Sequence, residues 1–425
     1  SFSADDLRAM RGLDYAELTA RVLAPFAVGC FDEDDLLRLA RRAYAPFDHA
    51  GTAPLRHLGG DDWLLELFHG PTLAFKDFAM QLLAAMFDVV LARQGERVTI
   101  VGATSGDTGA AAVHAFAGKR QVRVAMLHPE GRVSPVQRRQ MTTVLAGNVL
   151  NLAVRGTFDD CQDLVKAMFN DAAFRREQRL TAVNSINWAR VAAQAVYYVW
   201  ASLRVGGPDR EVAFSVPTGN FGNVYAGRVA AAIGLPVARL VVATNENDIL
   251  ARFLQSRRYE RGAVVATTSP SMDIQVASNF ERLLLELEGH DAERTRGRMH
   301  AFARSGGFAL EAELPALFAG SSADQGTVAE TIAATLRRTG ELVDPHTAVG
   351  LAVAARHRPP PGVPLVALAT AHPAKFPEAV KAATGVRPAL PARYADLLDR
   401  PERCVPLDND LAAVEAAVRD TFGAA

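Results

Sequence analysis

The chain has 425 residues, 49% of them apolar and 22% charged, an ordinary balance for a globular protein and too long for one small core, so two or three domains are expected. A formal net charge of −1 gives no bulk attraction to nucleic acid or to an anionic membrane, so the expected partner is a small molecule. Cys30, Cys161 and Cys404 are widely spaced without CxxC or metal-finger spacing and read as reduced, packing thiols of a cytoplasmic protein.

The chain opens SFSADDLRAM, with no initiator Met and no signal or transit pattern, so trimming at this end is one expectation. Residues 1–60 carry helical patterning, as in DEDDLLRLARRAYAPF (32–47). WLLELF (63–68) has strand length, and FAMQLLAAMFDVVLA (78–92) spaces its large apolar residues as a helix does. Strand-like runs then alternate with helix-like ones: VTIVG (98–102), VRVAML (122–127), NLAVRG (151–156), VAFSV (212–216), LVVAT (240–244) and LVALAT (365–370). Continuous apolar strands between helices predict an α/β fold with parallel sheets covered on both faces. AAQAVYYVWASL (192–203) is too short to span a membrane, and RHRPPPGVP (356–364) reads as an exposed connector. The expected division is a large domain (61–93 and 185–395), a smaller mobile domain (94–184) and a C-terminal helical segment (396–425).

Two segments share one design: VTIVGATSGDTGAAAV and VAFSVPTGNFGNVYAG run strand, Gly/Ser/Thr/Asn loop, small-residue helix. Such a turn offers free N–H groups and a partial positive charge, although many Gly-containing turns bind nothing. PTGNFGN (217–223) has no acidic side chain, so a phosphate dianion fits Gly219, Asn220, Phe221, Gly222 and Asn223. ATSGDTG (103–109) contains Asp107 and better suits hydroxyl donors or a carboxylate held by Thr104, Ser105 and Thr108. No P-loop, GxGxxG, HExxH or GxSxG is present, and no metal is expected.

HGPTLAFKDF (69–78) places Lys76 at a strand-to-helix junction between Phe75 and Phe78. The ordinary reading is a lysine reaching solvent and paired with Asp77. Apolar flanks and a helix N-terminus both disfavour the ammonium, which suits a Schiff-base lysine. A reactive lysine together with a phosphate cradle points to pyridoxal phosphate, which has an aldehyde at one end and a phosphate at another.

HGPTLAFKDFA, ATSGDTGAAAVHAF, NSINWAR, SVPTGNFGN and ATAHPAKF, in this order and spacing, resemble the long-form threonine synthases over about residues 60–385. The resemblance implies the fold of the tryptophan synthase β subunit (PLP fold type II: two open, mainly parallel sheets covered by helices). It also implies conversion of O-phospho-L-homoserine and water into L-threonine and phosphate. Lys76 would then bind pyridoxal 5′-phosphate covalently and 219–223 its phosphate, while Thr370 would bond the pyridine nitrogen. Asp107 stands where many relatives carry an asparagine facing the 3-oxygen; an aspartate there needs a proton or a cationic neighbour. Ser105 and its neighbours would hold the substrate carboxylate. Asn187 and Arg190 are the chosen ligands for its phosphate, with Lys375 and His372 as runners-up; a surface Arg and an N-cap Asn is the competing reading of that pair. Members of the family that the chain resembles usually begin with an SF…A…GL…GL segment ahead of the point where this chain starts, and what such a segment adds to covering the active site stays open here. Closure of the smaller domain is expected because Lys76 and the hydroxyl loop fall in different domains. Three alternatives stay open at this stage: a lyase of the same fold, a non-catalytic metabolite-binding relative, and nucleotide binding at the glycine loops. The expected state is a monomer or weak homodimer.

Overall fold

The computed structural model describes residues 1–423. The chain divides into two compact units. The first comprises Ser1–Ala40, Asp48–His69 and Trp188–Pro388; the second comprises Arg41–Phe47, Gly70–Asn187 and the chain from Ala389 onward.

In the first unit a six-stranded sheet runs, in spatial order, Leu55–Gly59, Asp62–Glu66, Leu365–Ala369, Val212–Pro217, Val237–Thr244 and Phe318–Ser322. All neighbours are parallel except the first pair. Every residue of Leu365–Ala369 and of Val212–Pro217 is buried, the signature of strands covered on both faces, and it explains their unbroken apolar sequences. Residues 55–59 fall in the stretch expected to be helical. They pair antiparallel with 62–66 instead, through a turn in which Gly59 and Gly60 take positive φ (109° and 58°). The apolar run at 192–203 belongs to helix Trp188–Arg204, buried from Arg190 to Leu203. Trp200 in this helix meets Tyr15 edge-on at 5.1 Å and donates its indole N–H to the Ala53 carbonyl at 2.7 Å. The run therefore belongs to a core helix of the unit, largely apolar because it is buried along its length. Among the described residues no helix is long and apolar enough to cross a membrane.

The second unit holds a five-stranded parallel sheet in the order Val405–Asp408, Val149–Arg155, Val122–Pro129, Val98–Ala103, Leu180–Thr181. Helix Lys76–Gln94 lies against helix Asp107–Phe116, with the rings of Phe87 and Phe116 at 5.8 Å. Phe78 is fully buried against Phe47 (4.8 Å) and Tyr44 (6.0 Å). These contacts put residues 70–93 with the second unit, whereas the sequence reading placed them in the large domain. The C-terminal segment also departs from its all-helical reading: residues 405–408 add an edge strand before helix Leu411–Phe422. Leu390, Tyr394 and Leu397 pack with Leu73 and Val136, and the Tyr394 hydroxyl donates to the Pro71 carbonyl. Cys161 lies in the core of this unit, where burial pushes its thiol up to about 11, in keeping with a packing role.

His128, near the end of strand Val122–Pro129, is 2% exposed, and burial, reinforced by Arg138, pulls its imidazole from an ordinary 6.5 down to about 4. The unfolded chain binds this proton first as pH falls, so the stability contribution is complete above about 6.5, declines towards pH 4, and is flat below. At roughly 1.4 kcal/mol per unit, the decline reaches roughly 3 kcal/mol. A His128→Gln variant is expected to remove this component, measured as a smaller loss of urea stability between pH 7 and pH 4.5 than wild type shows. An identical loss in both proteins refutes it.

Candidate active site

Lys76 is the first residue of its helix, and no side chain caps that N-terminus. Asp77 is held by the turn before it. Its two carboxylate oxygens accept from the Thr72 amide and hydroxyl, each at 2.7 Å, and bury completely. Gly70 makes this possible, since a Cβ there would lie 2.4 Å from that of Asp77. Lys76 instead points its Nζ to Asp107 Oδ2 at 3.3 Å, with side chains 12% and 5% exposed. The cationic neighbour that Asp107 needs is thus the lysine itself, which offsets the unfavourable helix N-terminus. The Phe75 ring lies 5.7 Å from Nζ, while Phe78 is spent in the core.

The other oxygen of Asp107 accepts from Gln137 Nε2 at 2.8 Å. Ser134 donates to Gln137 Oε1 at 3.0 Å, which turns the amide so that its N–H faces the carboxylate. Gly106 (φ 141°) leaves room for this side chain, as a Cβ there would meet Gln137 Cδ at 2.6 Å. In the same loop Thr104 Oγ1 accepts from the amides of Gly106 (3.0 Å) and Gly109 (2.8 Å). Thr104 therefore braces the loop from within, at 2% exposure. Ser105 is exposed and Thr108 half-buried, neither hydroxyl with a hydrogen-bond partner among the described residues, next to a helix N-terminus without a side-chain cap. Lys76 and this hydroxyl loop share one unit, so the expectation of closure loses the separation on which it rested. Asn187, half-buried, is the last residue of that unit before Trp188.

In the first unit, strand Val212–Pro217 ends in the loop 217–223 and helix Gly222–Ala232 follows. Phe221, at its N-cap, takes the left-handed conformation (φ 62°, ψ −3°) and buries its ring near Phe280 and Phe318. The amides of Gly219–Asn223 donate to no other group among the described residues. Asn223 Oδ1 lies within hydrogen-bond reach of the hydroxyls of Tyr197 (2.6 Å) and Tyr198 (2.9 Å). Burial raises both phenols far above their ordinary range, so they remain donors. Asn223 Nδ2 is left buried and without a partner. Uncapped amides, one orphaned amide donor and no acidic side chain fit a phosphate. Thr370, 5% exposed just past strand Leu365–Ala369, has a hydroxyl without a hydrogen-bond partner among the described residues and can donate to a ring nitrogen.

Arg190 is 4% exposed, and burial pulls its guanidinium down to about 10, so it stays cationic at neutral pH. His372 is held near pKa 4 by burial and accepts from the Ala374 amide at 3.1 Å, which makes it a neutral ring. Lys375 is fully buried. No cluster of three or more His, Cys, Asp or Glu among the described residues could hold a metal.

Gln137 and Asn279, which holds the Asn220 carbonyl (below), were not legible in the sequence. Neither lies in a glycine loop, and their partners are 30 and 59 residues away.

Parallel sheets, a lysine at a helix N-terminus and an anion-ready βα loop define the class: an α/β enzyme of PLP fold type II. Residues 47–321 match the family profile described as pyridoxal-phosphate dependent enzyme, and residues 347–418 that described as threonine synthase, C-terminal. The chain is 51% identical over 422 residues to the threonine synthase of Pseudomonas aeruginosa (98% of this chain, 90% of that one). It superposes on the structure of PLP-bound threonine synthase from Brucella melitensis with a TM-score of 0.96 and 52% identity, covering 99% of this chain and 91% of that one. The yeast threonine synthase structure matches with a TM-score of 0.91 and 36% identity, over the same shares. The chain belongs to the threonine synthase family.

Proposed function

We infer that the chain is a threonine synthase, converting O-phospho-L-homoserine and water to L-threonine and phosphate with pyridoxal 5′-phosphate as cofactor. Near-full-length identity to threonine synthases supports the reaction. The observation that carries the site is the buried Lys76–Asp107 pair at an uncapped helix N-terminus.

The residues present fit the cofactor. Lys76 Nζ would hold it covalently, the amides of Gly219–Asn223 with Asn223 Nδ2 would take its phosphate, and Thr370 Oγ1 would bond its ring nitrogen. When bound, the cofactor supplies the electron sink for bonds broken next to the amino carbon. A hydroxyl at Thr370, unlike a carboxylate, leaves the ring nitrogen largely unprotonated and moderates that sink.

The chain must move protons off Cα and Cβ of the substrate, let phosphate leave Cγ, return protons to Cγ and Cα, and let water add at Cβ. Lys76 Nζ is the proton carrier at Cα. Asp107, fixed from behind by Gln137 and Ser134, holds that amine in place and would face the cofactor's 3-oxygen. Ser105 and Thr108 hydroxyls, with the helix N-terminus beside them, would bind the substrate carboxylate, and Thr104 keeps their loop in shape. Arg190, with Asn187, would hold the substrate phosphate; Arg190 retains the charge this needs, whereas neutral His372 does not.

A near-zero net charge and three free thiols support a cytoplasmic enzyme of small molecules without nucleic-acid or membrane partners; a monomer or weak homodimer is the proposed state. Incubating the purified holoenzyme with O-phospho-L-homoserine is expected to yield threonine and phosphate in equal amounts. Release of 2-oxobutyrate in place of threonine would show a lyase.

A further inference from the structure

We propose that Asn279 is a positioning residue for the cofactor phosphate, acting by fixing the orientation of the Asn220–Phe221 peptide. The proposal rests on reading 219–223 as the phosphate cradle.

Asn279 is fully buried and sends two donors to one acceptor: its backbone N–H reaches the Asn220 carbonyl at 3.1 Å and its side-chain Nδ2 reaches the same oxygen at 3.2 Å. Its Oδ1 accepts from Arg282 Nε at 3.3 Å, so the amide has a defined orientation. Ser278 adds a bond from its hydroxyl to Asn220 Oδ1 at 3.0 Å. A peptide unit is planar and trans, so its C=O and the following N–H point in opposite directions. Holding the Asn220 carbonyl towards Asn279 therefore aims the Phe221 N–H the other way, where no acceptor lies among the described residues. Phe221 is a bulky residue at φ 62°, a conformation that is strained without glycine and persists only where its surroundings enforce it. Asn279 and the buried Phe221 ring are that enforcement. Without the side-chain donor, the peptide can flip and present a carbonyl oxygen to the anion in place of an N–H. Repulsion then replaces a charge-assisted hydrogen bond.

The test compares Asn279→Asp with Asn279→Ala in the full-length protein. Asp keeps the volume and the acceptor for Arg282 but removes the Nδ2 donor; Ala removes the donor without adding a negative charge. Apoprotein is titrated with pyridoxal 5′-phosphate and with pyridoxal, which lacks the phosphate. Wild type is expected to prefer the phosphorylated form strongly. Both variants are expected to bind pyridoxal 5′-phosphate about 10-fold more weakly, the worth of one charge-assisted bond, with pyridoxal affinity unchanged within about 2-fold. The 31P resonance of the bound cofactor is expected to shift in both. Parallel weakening of both ligands would reduce Asn279 to a structural role and overturn the proposal. So would an unchanged preference in either variant, or a loss confined to Asp. A wild type that binds both ligands equally would instead overturn the phosphate-cradle reading itself.

Discussion

Replacing Lys76 by alanine is expected to lower turnover by at least about 10⁴-fold, because one substitution removes both the covalent anchor and the proton carrier at Cα. The fold should survive. The side chain keeps 12% exposure and pairs with Asp107, whose carboxylate Gln137 still bonds in the variant. Borohydride treatment followed by peptide mapping is the direct measurement. Wild type should carry the reduced cofactor on the peptide containing Lys76, and the variant on none. A variant that still turns over, or a wild-type label on Lys375 or another lysine, would end the assignment.

Gly219→Ala is expected to weaken pyridoxal 5′-phosphate binding by roughly 5- to 150-fold, the equivalent of about 1–3 kcal/mol of overpacking. An added Cβ would lie 3.0 Å from the Ser271 carbonyl oxygen and 3.2 Å from Met272 Cα. Both are backbone, so neither can swing aside as a side chain could. The turn that carries them is also tied down. The Met272 amide bonds the Ser269 carbonyl at 2.9 Å, and the Ser271 amide donates to His346 Nε2 at 3.3 Å. His346 Nδ1 in turn lies 2.7 Å from Asp344, which is fully buried at the N-cap of helix Pro345–Arg356. The phosphate loop must therefore yield. Equilibrium titration of the apoprotein measures the effect, and an affinity within about 2-fold of wild type would show that the loop is not pressed against its backing.

The sequence pattern revealed whatever local chemistry encodes. The parallel strands showed because burial on both faces demands unbroken apolar runs, and the boundaries at 98–103, 212–217 and 365–369 lie within a residue of those read from the pattern. Lys76 and 219–223 stand out as candidates because a misplaced charge and clustered glycines are local anomalies. Thr104 matched the hydroxyl-donor pattern equally well, yet its oxygen is taken by its own loop; residue type does not reveal where a hydroxyl points. LRHLG at 55–59 was hidden because an edge strand exposes most of its side chains and so reads as polar, although the GG that follows it is a hairpin signal. VPLD at 405–408 is likewise an exposed edge, and it carries a proline. The membership of residues 70–93 could not be read because it depends on Phe78 meeting Phe47 and on two helices packing, neither of which leaves a mark at short range.

The C-terminal segment that clasps the turn before Lys76 also bears on how the protein is made. The Tyr394 hydroxyl and the Pro71 carbonyl are 323 residues apart in the chain. Ribosomal synthesis at about 5–20 residues per second separates their emergence by roughly 15–65 seconds. Through that interval the nascent chain holds Lys76 on a turn whose covering residues have not been translated. The surroundings of that turn are thus completed only once Tyr394 has emerged.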